Sequence, residues 1–393
     1  MACYSDVIDN SIRRIPAYFK ERERQSVKQS AEQAGIEVLG LINEPTAAGL
    51  AYGIHEKQGD CLLLIPDFGG GTYDVSIINF AGGEATVLAS FGDKNLGGKD
   101  VDDVLMKLVQ DGFKKEHGLE LTAQSQPADW HSIRDEVIRQ KHMLASRTEV
   151  RLCARVDGKQ VVVPVTREVL RALLKPLLDR IVKITLETIE LAKANRQEIK
   201  HVLRVGGSSR LVAFEEIMKQ LVGTDCFLGG QVSPDLAVAE GAMIQAAKLV
   251  SATGRTMVNE SLLAIPMPSI KHTDVMPHSL GVGVQDRVSS AIYCSVILER
   301  NRPIPCAEIK TYGSVDDQQT RFKVDVLQGE EGQPLSDCLV VGERELELPA
   351  RTSAKPSIEV SMGYDASGMV KVNVRDLISG QTEDITVDFY TKN

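Results

Sequence analysis

Hydrophobic periodicity changes character once along this chain, near Ser251, and that change constrains the fold more than any other feature of the sequence. Before it, short apolar runs alternate with stretches at helical spacing. After it, helix signals nearly vanish and apolar residues recur at every second position. In the first part, Phe19 to Ala34 carries Val27, Ala31 and Ala34 at helical spacing, with Gly35 as the stop. Val38–Ile42 reads as a buried strand, closed by Asn43-Glu44-Pro45 and followed by a helix over Thr46–Tyr52. Cys61–Ile65 reads as another buried strand, and Tyr73, Val75 and Ile77 alternate with Asp74, Ser76 and Ile78 as a strand directly after a glycine turn. The middle is richer in helix, over Val101–Lys115, Ser132–Ser146 and Leu170–Ala194, with a hairpin of Glu149–Val156 and Gln160–Val165 across Asp157-Gly158. A strand at His201–Val205, a glycine turn, and helices over Leu211–Leu221 and Pro234–Leu249 complete the series. Such alternation implies an α/β layer fold with a mainly parallel core.

Residues 251–275 hold SATGRT, Pro266, Pro268 and few periodic apolar positions, and read as a linker. Beyond it, alternating segments recur at Ser279–Val284, Ile292–Leu298, Phe322–Leu327, Ile358–Met362, Val370–Val374 and Ile385–Phe389, separated by turns such as Asp365-Ala-Ser-Gly368 and Ser379-Gly380. Regular short strands with turns predict a β-sandwich or barrel. A length of 393 residues fits two or three domains at roughly 100–200 residues each. The net charge of −9 argues against general nucleic-acid binding, which needs a basic surface. No apolar stretch reaches the ~18 residues a membrane helix requires. The start, MACYSDVIDNS, lacks the basic and apolar regions of a secretory signal, and the end, DFYTKN, is not a retention signal. Seven cysteines, at positions 3, 61, 153, 226, 294, 306 and 338, include no Cys-x-x-Cys pair. They read as reduced thiols in a reducing compartment, with the cytoplasm as the expected location.

The strongest local signal for chemistry is Asp67-Phe-Gly-Gly-Gly-Thr-Tyr-Asp74, set between two strands. Its three glycines let backbone N–H groups approach an anion and form a nest for phosphates. Asp67 and Asp74 are placed to hold a hydrated magnesium ion, and Thr72 can offer its hydroxyl. A glycine triplet alone marks a tight turn as readily; the flanking strands and paired aspartates favour the nest. A second glycine turn, Gly206-Gly207-Ser208-Ser209-Arg210, follows the strand at His201–Val205. Two such turns suit a nucleotide split between a phosphate nest and an adenosine pocket, with Arg210 able to stack on a purine. Glycine at a strand-to-helix turn is also ordinary packing. Glu44 stands where a strand gives way to a helix; it could orient an attacking water, or be a first-turn acid favoured by the helix dipole. His272 and His278 flank Asp274 with no further ligands nearby and read as surface histidines; the lone Trp130 reads as packing a helix.

Taken together, these strings resemble the 70-kDa heat-shock chaperones. The matching runs are Ile15–Phe19 (IPAYF), Leu41–Ala48 (LINEPTAA), Asp67–Asp74 (DFGGGTYD), Gly92–Asp100 (GDKNLGGKD), Val205–Arg210 (VGGSSR) and Ser233–Ala247 (SPDLAVAEGAMIQAA). In the β half they are Asp274–Gly281 (DVMPHSLG), Glu299–Pro305 (ERNRPIP), Val326–Glu330 (VLQGE) and Ile358–Val374. The resemblance covers nearly the whole chain in family order. It implies an actin-like α/β ATPase domain, of the ribonuclease H-like class, joined to an all-β sandwich that grips extended hydrophobic peptide. On that reading, residues 1–55 are a remnant of lobe I and 56–250 are lobe II, with a helical subdomain at about 98–175. Residues 251–275 are the linker and 276–393 the peptide-binding sandwich. Carried over by position, Glu44 is the acid near the γ-phosphate, Asp67 and Asp74 serve the magnesium, and Gly69, Gly70, Gly71 and Thr72 cradle phosphate. Lys141, Gly206, Gly207, Ser208, Arg210 and Asp235 line the adenosine side. Val282, Tyr312, Val315, Gln319, Phe322, Val324 and Ile358 line a peptide groove, which binds by main-chain hydrogen bonds plus one apolar pocket. The implied cofactor is ATP or ADP with Mg2+. The implied partners are unfolded polypeptides, J-domain co-chaperones and nucleotide exchange factors, with no nucleic acid or membrane.

The sequence also departs from the family pattern. The family opens with a strand, a glycine-rich phosphate turn and a lysine that helps catalysis, and this sequence begins downstream of all three. Losing two or three charge-assisted phosphate bonds would cost about 3–9 kcal/mol at ~1.5–3 each, or roughly two to six decades of affinity. In the adenine-contacting helix, Ile138, His142 and Ala145 stand where the family has glutamate, arginine and serine, and Lys99 replaces an acid. Ser269-Ile-Lys-His-Thr273 replaces the apolar linker run, and the sequence stops at Asn393 without a helical lid. With few partners left, the strand at Val38–Ile42 is expected to expose its edges. Four functions follow as expectations: an ATP-dependent chaperone, a nucleotide-independent peptide-binding holdase or co-chaperone scaffold, a truncated gene product, and a sugar kinase of the same superfamily, the last disfavoured by the β-rich second half.

Overall fold

The computed structural model describes residues 10–16, 19, 21–55, 60–81, 84–223, 234, 236–252, 271–273, 275–276, 278–286, 288–316, 318–348, 356–365 and 370–385. The chain divides into two compact units: Met1–Leu50 with Gly83–Ser90 and Ala239–Asn393, and Ala51–Gly82 with Phe91–Val238. No described helix is long and apolar enough to cross a membrane.

The first unit opens with β1 (Asn10–Ile15), α1 (Glu21–Gln33), β2 (Glu37–Asn43) and α2 (Glu44–His55), whose end belongs to the second unit. β1 and β2 pair in parallel. Only Ile42 and Asn43 of β2 are buried, so the strand expected to be buried throughout is covered only at its end. α2 starts at Glu44 with Pro45 in its first turn, where an N–H has no intrahelical acceptor and proline costs nothing.

The second unit is built on β3 (Cys61–Phe68) and β4 (Tyr73–Ala81), which pair antiparallel with Asp67 opposite Asp74. Tyr73 through Ile78 are all buried, so both faces of β4 are covered and the alternation in its sequence does not mark a wet side. β5 (Glu84–Asp93) begins in the first unit; its inward residues Ala85, Val87 and Ala89 are small, which hid it from a search for bulky alternation. α3 (Gly98–His117) buries Val101, Leu105, Val109 and Phe113 at helical spacing, and Gly97 N donates to Asp100 Oδ2 at 2.7 Å to close its first turn. α4 (Pro127–Met143) precedes the hairpin of β6 (Glu149–Val156) and β7 (Lys159–Thr166). Positive φ at Asp157 and Gly158 gives that hairpin its two-residue turn, and every second residue of β6 is buried.

The stretch expected as one helix over Leu170–Ala194 is two: α5 (Arg167–Leu173) and α6 (Lys175–Leu191). Pro176 explains the break, because it cannot donate to the carbonyl a turn earlier. β8 (Ile199–Val202) then pairs parallel with β3, and α7 (Val212–Val222) follows the second glycine turn. The core of this unit is therefore mixed rather than mainly parallel, since β3 lies between antiparallel β4 and parallel β8.

α8 (Ala237–Ala252) returns the chain to the first unit. Within the stretch read as a linker, Lys271–Thr273 forms β9, parallel to Glu84–Thr86 of β5; 253–270 and 274 lie outside the described residues. The β-rich part contains β10 (Leu280–Gln285), β11 (Ile292–Leu298), β12 (Cys306–Tyr312), β13 (Arg321–Gln328), β14 (Leu339–Glu347), β15 (Ile358–Tyr364), β16 (Val370–Asp376) and β17 (Thr382–Ile385). Their pairings are antiparallel in two four-stranded sheets, β11-β10-β13-β14 and β12-β15-β16-β17. One core joins them: Phe322, Val324 and Val326 from the first sheet pack with Ile358, Val360, Met362 and Val374 from the second, which makes a sandwich. The strand read at Ile385–Phe389 ends at Ile385 among the described residues.

Candidate functional site

Two clefts hold most of the residues singled out in the sequence, one in each unit. In the second unit, β3 delivers Asp67 and β4 delivers Asp74 to the same rung of the ladder, with side chains 9% and 3% exposed. The loop between them turns tightly, with Gly69 N donating to Thr72 O at 3.0 Å. Gly98 N donates to Gly69 O at 2.9 Å and Lys99 N to Gly70 O at 2.8 Å, so the start of α3 clamps the loop from one side. The second glycine turn clamps it from the other: Phe68 N donates to Val205 O at 3.0 Å, and Ser208 Oγ to Gly69 O at 2.9 Å. The close approach requires glycine at 206, where φ is +81° and a β-carbon would stand 2.5 Å from both Asp67 Oδ1 and Phe68 O.

The opposite side of the loop is open. A β-carbon at Gly70 or Gly71 would meet no atom within 4 Å. Among the described residues, the amides of Gly70, Gly71 and Thr72 have no hydrogen-bond acceptor. An open row of N–H groups beside two buried carboxylates fits a phosphate with its magnesium: the amides suit the anion and the aspartates the cation's water shell.

Lys141, His142, Ala145, Gly207, Ser208, Arg210 and Leu211 line an adjoining cleft of about 440 Å³. The structure thus brings together four of the residues expected on the adenosine side, while Asp235 lies outside the described residues. Gly206 sits behind them, holding the turn. Lys141 is 8% exposed and is committed to the fold: Nζ donates to Gly98 O at 3.1 Å and lies 2.7 Å from Oδ1 of Asp102, equally buried. That last contact is an ion pair close in distance but without hydrogen-bond alignment. Asp102 was not legible as a site residue, because on sequence it is one more acid in the first turns of a helix. Glu44, the first residue of α2, belongs to the first unit.

In the sandwich, a cavity of about 510 Å³ is lined by all seven residues expected at a peptide groove: Val282, Tyr312, Val315, Gln319, Phe322, Val324 and Ile358. Inward alternation on β10, β13 and β15 brings Val282, Phe322, Val324 and Ile358 to its floor. Gln319 shapes the rim, since its carboxamide accepts from Val315 N at 2.9 Å and donates to Arg321 O at 2.8 Å. Tyr312 Oη donates to Ser295 Oγ at 3.4 Å, and burial pushes its phenol up to about 12. Charged neighbours absent from the sequence reading also line the cavity, among them Lys323 and Asp325, paired at 2.8 Å. Their strand was visible in the sequence, but not their place at a cavity.

Among the described residues no cluster of three or more histidine, cysteine or acidic side chains could hold a metal by itself. A family model described as "Hsp70 protein" matches residues 2–392. The fold, the open glycine loop between two aspartates and the sandwich cavity are of a piece with that match, and the chain belongs to the Hsp70 family of ATP-binding chaperones.

Proposed function

We propose that this chain is a chaperone that holds extended apolar segments of unfolded polypeptide in the sandwich cavity, and that it binds a magnesium-nucleoside triphosphate in the cleft of the second unit. The observation that carries the reading is the cavity itself: an apolar floor of Val282, Phe322, Val324 and Ile358 beneath the polar groups of Tyr312 and Gln319. That combination suits one apolar side chain below and a peptide main chain above. In the other cleft, the amides of Gly70 and Gly71 and the hydroxyl of Thr72 would take phosphate oxygens. Asp67 and Asp74 would hold the hydrated cation, and Gly207, Ser208 and Arg210 the adenosine. When bound, magnesium ATP would supply a hydrolysable phosphoanhydride. Unfolded polypeptides and J-domain and exchange-factor co-chaperones are the partners we infer, and the cytoplasm is the location we infer.

The test is fluorescence anisotropy of a labelled, extended apolar heptapeptide with the full chain, with Mg-ATP titrated in parallel by calorimetry. Val315→Asp puts a charge on the half-buried rim of the cavity and is expected to weaken peptide binding by at least about tenfold, ~1.4 kcal/mol. Peptide binding that is undetectable, or unchanged by that substitution, would remove the cavity from the account.

A further inference from the structure

Two of the five described cysteines come close together beside β11. Cys294, on β11, and Cys338, just before β14, both lie against the carbonyl of Gln333. The backbone fixes their encounter. Cys294 N donates to Gln333 O at 2.8 Å, Gly332 N donates to Cys294 O at 2.9 Å, and Tyr293 bridges to Pro334. Cys338 Sγ lies 3.7 Å from that same Gln333 oxygen, so both residues converge on one carbonyl. The far side is confined as well, because a β-carbon at Gly329 would come 2.5 Å from Cys338 Sγ. Cys294 is buried and Cys338 half-buried, so an oxidant reaches the pair through Cys338.

We propose that Cys294 and Cys338 are a redox pair that closes to an intramolecular disulfide under a hydroperoxide, tying residues 330–338 to β11 at the wall of the peptide cavity. The peroxide oxidises the Cys338 thiol to a sulfenic acid, breaking its O–O bond and releasing water or an alcohol. The Cys294 thiol then attacks that sulfur; the S–S bond forms, the S–O bond breaks, and the proton leaves with a second water. Two thiols thereby lose two electrons and two protons to the peroxide. Desolvation holds both thiols protonated, pushing Cys294 up to about 12 and raising Cys338. The thiolate is the reactive form, so the pair closes slowly, under sustained oxidation. The consequence for the cavity follows from β11: Ile292 lines it, and Ser295 accepts from Tyr312, which also lines it. Pinning β11 stiffens that wall and slows peptide exchange; this last step alone rests on the proposed peptide site.

The reduced full chain is exposed to hydrogen peroxide, alkylated, digested without reductant and mapped by mass spectrometry. Cys153, exposed and solitary, is the internal control. The expected result is a cross-linked peptide joining Cys294 to Cys338, reversed by dithiothreitol, insensitive to protein concentration and lost in Cys338→Ser. An upward shift in melting temperature and slower release of the labelled heptapeptide accompany it. Cys294 and Cys338 both remaining alkylatable after Cys153 is oxidised overturns the pair, as does a link formed only between chains. Unchanged heptapeptide release from a chain carrying the link overturns the effect on the cavity.

Discussion

Lys141 and Asp102 offer the sharpest test of how the nucleotide-side cleft is held together. Both side chains are 8% exposed and their charges lie 2.7 Å apart, so each neutralises the other in a place that water barely reaches. Asp102→Asn removes one charge at nearly constant shape and leaves the ammonium of Lys141 with the Gly98 carbonyl, 3.1 Å away, as its remaining partner. Stranding a buried charge in this way costs about 3–5 kcal/mol. At ~2–4 °C per kcal/mol for a unit of this size, the second unit should melt about 6–20 °C lower. Replacing both residues by apolar ones, Asp102→Leu with Lys141→Met, removes the stranded charge and should recover most of the loss. Chemical denaturation of the full chain, following Trp130 in the second unit, gives the three stabilities. An Asp102→Asn variant within about 1 kcal/mol of the parent, the worth of a solvated surface pair, would refute the view that this pair is buried and mutually required.

Two further outcomes follow from the second glycine turn and the helix after it. Gly206→Ala, which must adopt φ +81° with its methyl 2.5 Å from Asp67 Oδ1, should destabilise the second unit by about 1–3 kcal/mol. Gly207→Ala, with nothing within 4 Å, should stay within about 1 kcal/mol, and urea titration of the two compares them directly. At Glu215, burial raises the carboxyl's pKa, but Lys219 and Arg204, the latter at 2.6 Å, more than offset it and hold it below the ordinary 4.5. A depressed carboxylate contributes stability above its unfolded pKa and loses it as pH falls through the folded one. Acid unfolding followed downward from pH ~5 should therefore be shallower in Glu215→Gln, and superimposable curves would count against the ion pair.

Much of this fold is legible in the sequence where one local rule decides the outcome. The β6–β7 hairpin is visible because Asp157-Gly158 can take positive φ and every second residue points inward. Other elements depend on distant partners. β14 escapes a period-two search because a bulge opposite Val326 and Leu327 shifts its register, leaving Val341 and Leu346 inward at an odd spacing. β12 escapes because as an edge strand it exposes Ile309, Lys310 and Thr311 in succession. The same division runs through the sites. The glycine loops can be read as strings, whereas the Asp102 partner of Lys141 and the Ser208 bond to Gly69 exist only once α3, α4 and the two turns have come together.

That division decides which residues can report on nucleotide binding. Lys141 and Ser208 already serve the fold, through Asp102 and the carbonyls of Gly98 and Gly69, so their retention is what either a nucleotide-binding protein or a bare scaffold requires. Gly70 and Gly71 are different. A β-carbon on either would meet no atom within 4 Å, so nothing in the fold prevents one there. Gly70→Ala and Gly71→Ala should therefore leave stability unchanged or raise it by about 0.4–1 kcal/mol, through a stiffer unfolded chain. A methyl group on the open face would nevertheless block the approach of a phosphate to the amides, and should lower Mg-ATP affinity by about tenfold or more, one phosphate hydrogen bond being worth ~1.5–3 kcal/mol. Calorimetric titration of the parent and the two variants, paired with their denaturation curves, separates the terms. Unchanged stability with lost affinity means that these glycines are kept for the ligand. Unchanged stability with unchanged affinity would mean that the loop is architecture, and the phosphate nest proposed here would be wrong.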